Sequence, residues 1–184
     1  IRLEAAAAFV RLESGDATDA LLETLTTDPE GEVRVQAVLA LAAIGGEDVV
    51  QPMIDCLVAD GYPHLDFVAD DLEYRHSADV QHQVLIALGR LGDERAVGPL
   101  IDLLEDPDFE DLQETGYRIL GQISSARAES FLLAQLRDGS RLARRRAARA
   151  LGARPGGEVS NEVLSGLILA MADDDSGVRA SAAK

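Results

Sequence analysis

The chain repeats a short sequence pattern along its length, and this repetition restricts its fold more than any other feature. A Val-Arg-like pair opens an Ala- and Leu-rich run six times. The pairs are Ile1-Arg2, Val33-Arg34, Val80-Gln81, Leu112-Gln113, Ala143-Arg144 and Val178-Arg179. Successive pairs lie 32, 47, 32, 31 and 35 residues apart. Periods of this size indicate stacked supersecondary units, each of which is too small to bury its own apolar face.

Two further marks keep the same register. An acidic turn precedes most of the pairs, and a triplet centred on Leu follows them. The turns are Thr27-Asp28-Pro29, Glu105-Asp106-Pro107, Arg137-Asp138-Gly139 and Asp173-Asp174-Asp175. The triplets are Ala40-Leu41-Ala42, Ala87-Leu88-Gly89, Ile119-Leu120-Gly121 and Ala150-Leu151-Gly152. Three marks in constant order indicate true repeats.

Each repeat is predicted to form two helices, because its apolar residues recur at helical spacing on both sides of the acidic turn. The predicted helices are 17–26, 31–44, 47–59, 77–91, 94–105, 108–122, 126–137, 140–152, 159–172 and 176–184. The expected fold is all-α, a right-handed superhelical solenoid of about five helical hairpins.

The repeats predict a single domain over residues 1–184. Its units are 1–16 (partial), 17–46, 47–92 with an insertion at 60–76, 93–124, 125–155 and 156–184. The sequence starts at Ile1 without Met and ends without a helix stop signal. We therefore expect it to be a segment of a longer chain.

The pattern resembles the HEAT repeat in its short form, known as the PBS lyase HEAT-like repeat. The best match is Val80, Ala87-Leu88-Gly89, Leu91-Gly92, Ala96 and Leu100–Leu104. The resemblance covers almost the whole chain and implies the hairpin solenoid. It also implies a structural ladder in which the repeated arginine pairs with the acidic turn. The ladder residues would be Arg34, Arg144, Arg179, Asp28, Asp106 and Asp138.

Charge excludes several classes of partner. The formal net charge is −16, with 33 acidic residues, 16 Arg and the single Lys184. Such a field repels nucleic acid and anionic membranes, and no apolar run reaches the roughly 20 residues of a membrane helix. This composition favours a cytoplasmic protein of a halophilic microbe, and a high-GC genome that replaces Lys by Arg is the alternative.

The insertion at 60–76 concentrates His, Tyr and acidic residues. His64, Asp66 and His76 are candidate metal ligands, because imidazole and carboxylate groups suit divalent transition metals. No H-x-x-x-H or H-E-x-x-H spacing accompanies them, and each His is followed by Leu, Ser or Gln. The His-Glu dipeptides of the related di-iron hydroxylase are therefore missing. A bilin-lyase-like or metal-dependent enzyme centred on 60–82 remains the alternative function, and no cofactor is expected.

The second helices carry the candidate binding residues. Alignment of the repeats places His82, Glu114 and Arg145 in one column, and Arg118 and Arg149 in the next. The resemblance implies that second helices line the concave surface, where two or three guanidinium groups would suit an acidic or phosphorylated peptide. Alternatively, these arginines only neutralise nearby carboxylates. We therefore predict a non-catalytic scaffold for a protein or acidic-peptide partner. Its oligomeric state is left open.

Overall fold

Ten α-helices follow one another in the residues that the computed structural model describes, which are 17–59, 71–154 and 159–184. No β-strand occurs in these three ranges, and the predicted all-α class is confirmed. The chain divides into two compact units, one ending at Ala96 and the other beginning at Val97. Helices α1–α4 are Thr18–Thr27, Gly31–Ile44, Val50–Ala59 and Asp71–Leu91. Helices α5–α10 are Val97–Glu105, Glu110–Gln122, Ala126–Asp138, Arg141–Gly152, Asn161–Ala170 and Ser176–Ala182.

The first unit consists of two helical hairpins. Helix α1 packs on α2, α3 packs on α4, and α2 lies against α4. Their largest fully buried side chains are Leu21, Leu25, Leu41, Met53, Leu57, Leu85 and Leu88. These residues recur at three- and four-residue spacing within each helix, so every helix has one continuous apolar face. A single hairpin cannot cover such faces, and the neighbouring hairpin does.

The second unit repeats this arrangement with three hairpins. Helices α5, α7 and α9 form a layer of first helices, while α6, α8 and α10 form a layer of second helices. Each second helix contacts the second helix of the next hairpin. Small residues make this contact close: Ala147, Ala148 and Ala150 of α8 are all buried.

Local sequence defines where the helices of the second unit begin. The hydroxyl oxygens of Ser125, Ser140 and Ser160 accept a hydrogen bond from a backbone N–H in the first turn of α7, α8 and α9. Asp175 accepts the corresponding bond from the N–H of Val178 at 3.0 Å. Each such N-cap contributes roughly 1 kcal/mol. The first turns of these four helices are therefore fixed by residues readable in the sequence.

Helices α6 and α8 approach most closely at Gly121. A Cβ atom at this position would lie 2.5 Å from the carbonyl oxygen of Ala150. At the equivalent Gly152 of α8, the nearest atom would be the carbonyl oxygen of Ser181, 3.9 Å away. The α6–α8 contact thus requires glycine, whereas the α8–α10 contact leaves room for a methyl group.

The predicted helices agree with the observed ones to within a few residues, with one clear exception. Three of them begin as 3₁₀ turns, at Glu47–Val49, Glu94–Ala96 and Pro107–Phe109. The exception is α4, which begins at Asp71 and not at 77. The predicted insertion therefore ends too late, because its last six residues are helical. No Gly or Pro follows Pro63 before α4, and the acidic residues at its start suit a helix N-terminus.

Candidate functional site

The exposed sides of α6 and α8 carry the predicted binding residues of the second unit. Glu114 and Arg118 lie one turn apart on α6, and Arg145 and Arg149 lie one turn apart on α8. All four side chains are exposed. We call this surface, formed by Glu114, Arg118, Arg145 and Arg149, the second-helix face.

Glu114 is the one acidic member of the second-helix face. One of its carboxylate oxygens accepts a hydrogen bond from Nη1 of Arg149. The other lies 3.3 Å from Nε of Arg146, whose side chain is only 12% exposed. Arg146 also donates to the side-chain oxygen of Gln113 at 2.5 Å. The Glu114 carboxylate therefore joins α6 to α8 and neutralises part of the charge of two arginines.

Arg118 and Arg145 make no ion pair with any residue that the structure describes. Two of the three arginines proposed from the sequence thus keep their guanidinium groups available to solvent, while Arg149 is paired. Arg146 was not among the predicted site residues. Its adjacency to Arg145 in the sequence gave no sign that it turns toward α6.

The repeated arginine column has a second role, at the bends of the hairpins. Nε of Arg34 donates to the carbonyl oxygen of Leu25 at 2.9 Å, and Nε2 of Gln113 donates to that of Leu104 at 3.3 Å. Arg179 donates to the backbone oxygens of the turn at residues 173–174, at 2.7 and 3.0 Å. The last carbonyl groups of a helix have no intrahelical partner. Side chains in this column therefore close the end of the first helix of their own hairpin.

Arg144 connects two hairpins. It donates to both carboxylate oxygens of Asp173, at 2.8 and 3.0 Å, and to Asp174 at 2.7 Å. The hydrogen bonds from Arg144 lower the pKa of Asp173 from its ordinary value to about 2. Both Arg144 and Asp173 are largely buried, with side chains 20% and 12% exposed.

The other predicted ladder residues have different contacts. Asp138 lies 2.7 Å from Nε of its neighbour Arg137, and this pair is exposed. Asp28 accepts a hydrogen bond from the backbone N–H of Glu30 within its own turn. Asp106 lies between α5 and the 3₁₀ turn that follows. Asp138 follows the hairpin whose column residue is Gln113, so the arginine that would receive it is missing from the sequence.

A second contact between hairpins involves Glu129, which was not predicted. Its carboxylate accepts hydrogen bonds from Arg154 and, at 2.6 Å, from Ser160. These bonds, chiefly the one from Ser160, lower the pKa of the Glu129 carboxyl. The same Ser160 caps α9. Glu129 thereby joins α7 to the start of the next hairpin.

The remaining candidates lie in the first unit. His82 is half-buried on α4. His64 and Asp66 fall outside the described residues, and His76 lies in α4 at a position whose side chain is not described. Within the described ranges, no group of three potential metal ligands lies together. The buried side-chain amide of Gln81, which stands in the arginine column, has no hydrogen-bond partner there.

Helical hairpins stacked in two layers, with matching contacts from one hairpin to the next, define an α-helical repeat protein of the solenoid class. A family model for HEAT repeats matches residues 1–69, 65–141 and 109–184, which together span the sequence. The chain therefore belongs to the HEAT-repeat family. A search of curated proteins found none that matches it. No helix in the described part of the chain is long and apolar enough to cross a bilayer.

Proposed function

We propose that this HEAT-repeat chain is a non-catalytic scaffold whose second-helix face binds an acidic segment of a partner protein. Helical repeats build extended surfaces suited to binding other proteins. The observation that carries the proposal is the exposure of Arg118 and Arg145 on adjacent helices, with no carboxylate of the described residues bound to either.

The chemistry of arginine determines the kind of partner. Its planar guanidinium group binds carboxylate or phosphate oxygens through two parallel hydrogen bonds. Arg118 and Arg145 would form such bonds without first breaking an ion pair. Arg149 would have to exchange the Glu114 carboxylate for one from the partner, which makes it the weaker contributor.

The charge balance on this face differs from that of the whole chain. Glu114 is a single carboxylate that faces the arginines at 146 and 149, with Arg118 and Arg145 one turn away. The chain as a whole carries a formal charge of −16. An acidic ligand is therefore repelled by most of the molecule and attracted at this face, which favours one docking position.

A binding measurement with a fluorescein-labelled peptide of alternating Glu and Ala tests this proposal. The double variant Arg118→Glu, Arg145→Glu should bind it at least 10-fold more weakly than the parent protein, at equal helix content. A matched control, Arg90→Glu with Arg127→Glu, makes the same change of net charge at two exposed arginines on α4 and α7. Equal losses in both double variants would mean that only total charge matters, and the face would be rejected.

The remaining sequence predictions form part of the same proposal. We infer a cytoplasmic protein of a halophilic microbe, built from the short PBS lyase HEAT-like form of the repeat. The support is the acidic, Arg-rich and almost Lys-free composition and the repeat spacing of 31 to 35 residues outside the long insertion. The dependence of stability on salt, taken up below, tests the halophilic origin.

A further inference from the structure

Helix α9 exposes a stripe of large apolar side chains. Leu164, Ile168 and Met171 are 52%, 58% and 53% exposed, and they follow one another at four- and three-residue spacing. Residues at this spacing lie on one side of a helix. Such a stripe is unusual on the outer hairpin of a repeat array, where a polar surface is needed for solubility. We call these three residues the α9 stripe.

Helix α7 shows what this position in the repeat does. Ser125 caps α7 and Ser160 caps α9, so the two helices can be aligned by their caps. This alignment equates Glu129, Leu133 and Leu136 of α7 with Leu164, Ile168 and Met171 of α9. The α9 stripe therefore occupies three positions whose function is visible one hairpin earlier.

All three α7 positions contact the following hairpin. Glu129 accepts a hydrogen bond from Ser160, as described above. A Cβ atom at Gly166 would lie 3.0 Å from Cδ2 of Leu133 and 3.5 Å from Cδ2 of Leu136. The leucine pair thus packs against a helix that has a glycine at the point of contact.

The second helices supply an independent sign of the same kind. The alignment equates Arg144 of α8 with Arg179 of α10. Arg144 binds Asp173, in the acidic turn of the following hairpin. Arg179 is exposed and binds only backbone oxygens of its own turn among the described residues, so its guanidinium group has no carboxylate partner there.

We infer that the α9 stripe and Arg179 form a docking site for a helical hairpin of a partner protein. The hairpin's first helix carries Gly or Ala where it meets Ile168 and Met171, and its turn carries an aspartate that binds Arg179. Charge complementarity at Arg179 selects an acidic turn, and packing at the stripe selects a small residue. This site is distinct from the second-helix face and does not depend on the function proposed for it.

Charge argues against a second copy of the chain as the occupant. Each copy has a formal charge of −16, and Asp174, at the edge of the site, is 89% exposed. Association of two copies would bring these fields together, whereas a partner hairpin need carry only one aspartate. Dimerisation is nevertheless an outcome that the experiment measures.

A synthetic peptide with the sequence of residues 159–184 is a suitable probe, because it contains Gly166, Asp173 and both helices of a hairpin that docks in this way. Added to the protein, it should bind saturably. Ile168→Glu in the protein should weaken binding at least 10-fold, and Arg179→Gln should weaken it severalfold. The matched control is Leu142→Glu, which alters another exposed leucine, on α8. A peptide with Gly166→Leu and Asp173→Asn should bind at least 10-fold more weakly.

A second measurement covers the case in which the free peptide does not fold. Fusing a second copy of residues 159–184 after Lys184 raises the local concentration of the hairpin into the millimolar range. The fusion should melt several degrees above its Gly166→Leu, Asp173→Asn counterpart. Failure of both the peptide and the fusion overturns the inference. Sedimentation of the parent chain as a dimer, or loss of peptide binding in a longer natural polypeptide, assigns the site to another occupant and also overturns it.

Discussion

Arg144 holds the carboxylate of Asp173 through two hydrogen bonds, of 2.8 and 3.0 Å, although the two residues are 29 positions apart in the sequence. This pair connects the hairpin α7–α8 to the turn of the hairpin α9–α10. A charged pair with two parallel hydrogen bonds fixes orientation as well as distance. The pair therefore sets the position of the last hairpin of the second unit.

Asp173→Asn should lower the free energy of unfolding by roughly 1–2 kcal/mol, because the bonds to Arg144 lose their charged acceptor. Asp174→Asn is the matched control, since Asp174 also contacts Arg144 but is 89% exposed. Its effect should stay within about 0.5 kcal/mol. Urea denaturation at pH 7 measures both variants. Equal effects would show that the partly buried Asp173 contact has no special weight.

The same carboxylate should make stability depend on pH. The folded-state pKa of Asp173 is lowered from 3.8 to about 2, so its contribution is complete above pH 4 and is lost as the pH falls toward 2. The Asp173→Asn variant should lack this part of the pH dependence. Thermal melting of both proteins between pH 2 and 6 tests the sign. Parallel curves would contradict it.

Gly121→Ala should destabilise the second unit by about 1–3 kcal/mol, since the new methyl group would meet the backbone of Ala150. Gly152→Ala is the control at the equivalent position, where the nearest atom is 3.9 Å away. It should be neutral or slightly stabilising, because Ala is the better helix former. Melting temperatures of the two variants give the comparison, and a stable Gly121→Ala protein would show that α6 and α8 can separate at little cost.

Removing the internal competitor for Arg149 should strengthen the binding proposed for the second-helix face. Glu114→Gln should bind the Glu-Ala peptide at least threefold more tightly than the parent protein. Glu110→Gln removes the same charge one turn earlier on α6, at an exposed position, and should have a smaller effect. Fluorescence anisotropy at 0.1 M KCl distinguishes the two. Equal gains would attribute the change to net charge alone.

Salt should stabilise the protein if its acidity reflects a halophilic origin. Crowded carboxylates repel one another most at low ionic strength, and the Debye length falls from about 10 Å at 0.1 M salt to about 3 Å at 1 M. The melting temperature should therefore rise clearly between 0.1 and 2 M KCl. A flat response would favour the high-GC explanation of the composition.

The helices could be predicted from the sequence because three independent signals coincide in each repeat. In the hairpin α7–α8, Ser125 marks the first helix, the turn at 137–139 marks the bend and Leu151-Gly152 marks the end. The start of α4 could not be predicted in this way, since the repeat register indicates a helix only from about residue 77. Helix propensity carried α4 six residues beyond the register.

The ladder could be predicted only where both partners are present. Gln81 and Gln113 already stand in the arginine column of the sequence, so a regular ladder was not to be expected at their hairpins. The pairing of Glu114 could not be predicted. Aligning the repeats placed it beside Arg145, whereas side-chain direction and length bring it to Arg146 and Arg149.

The bends of the hairpins are closed by bonds between residues five to nine positions apart, as at Arg34, Gln113 and Arg179. Contacts of such short sequence separation form early, because little chain entropy is lost in closing them. Pulse-labelling hydrogen exchange should therefore protect the bend amides before those of the α6–α8 contact. During synthesis, each hairpin meets its bend-closing residue soon after the bend itself leaves the ribosome, so its two helices are held together before the hairpin on which they will stack exists.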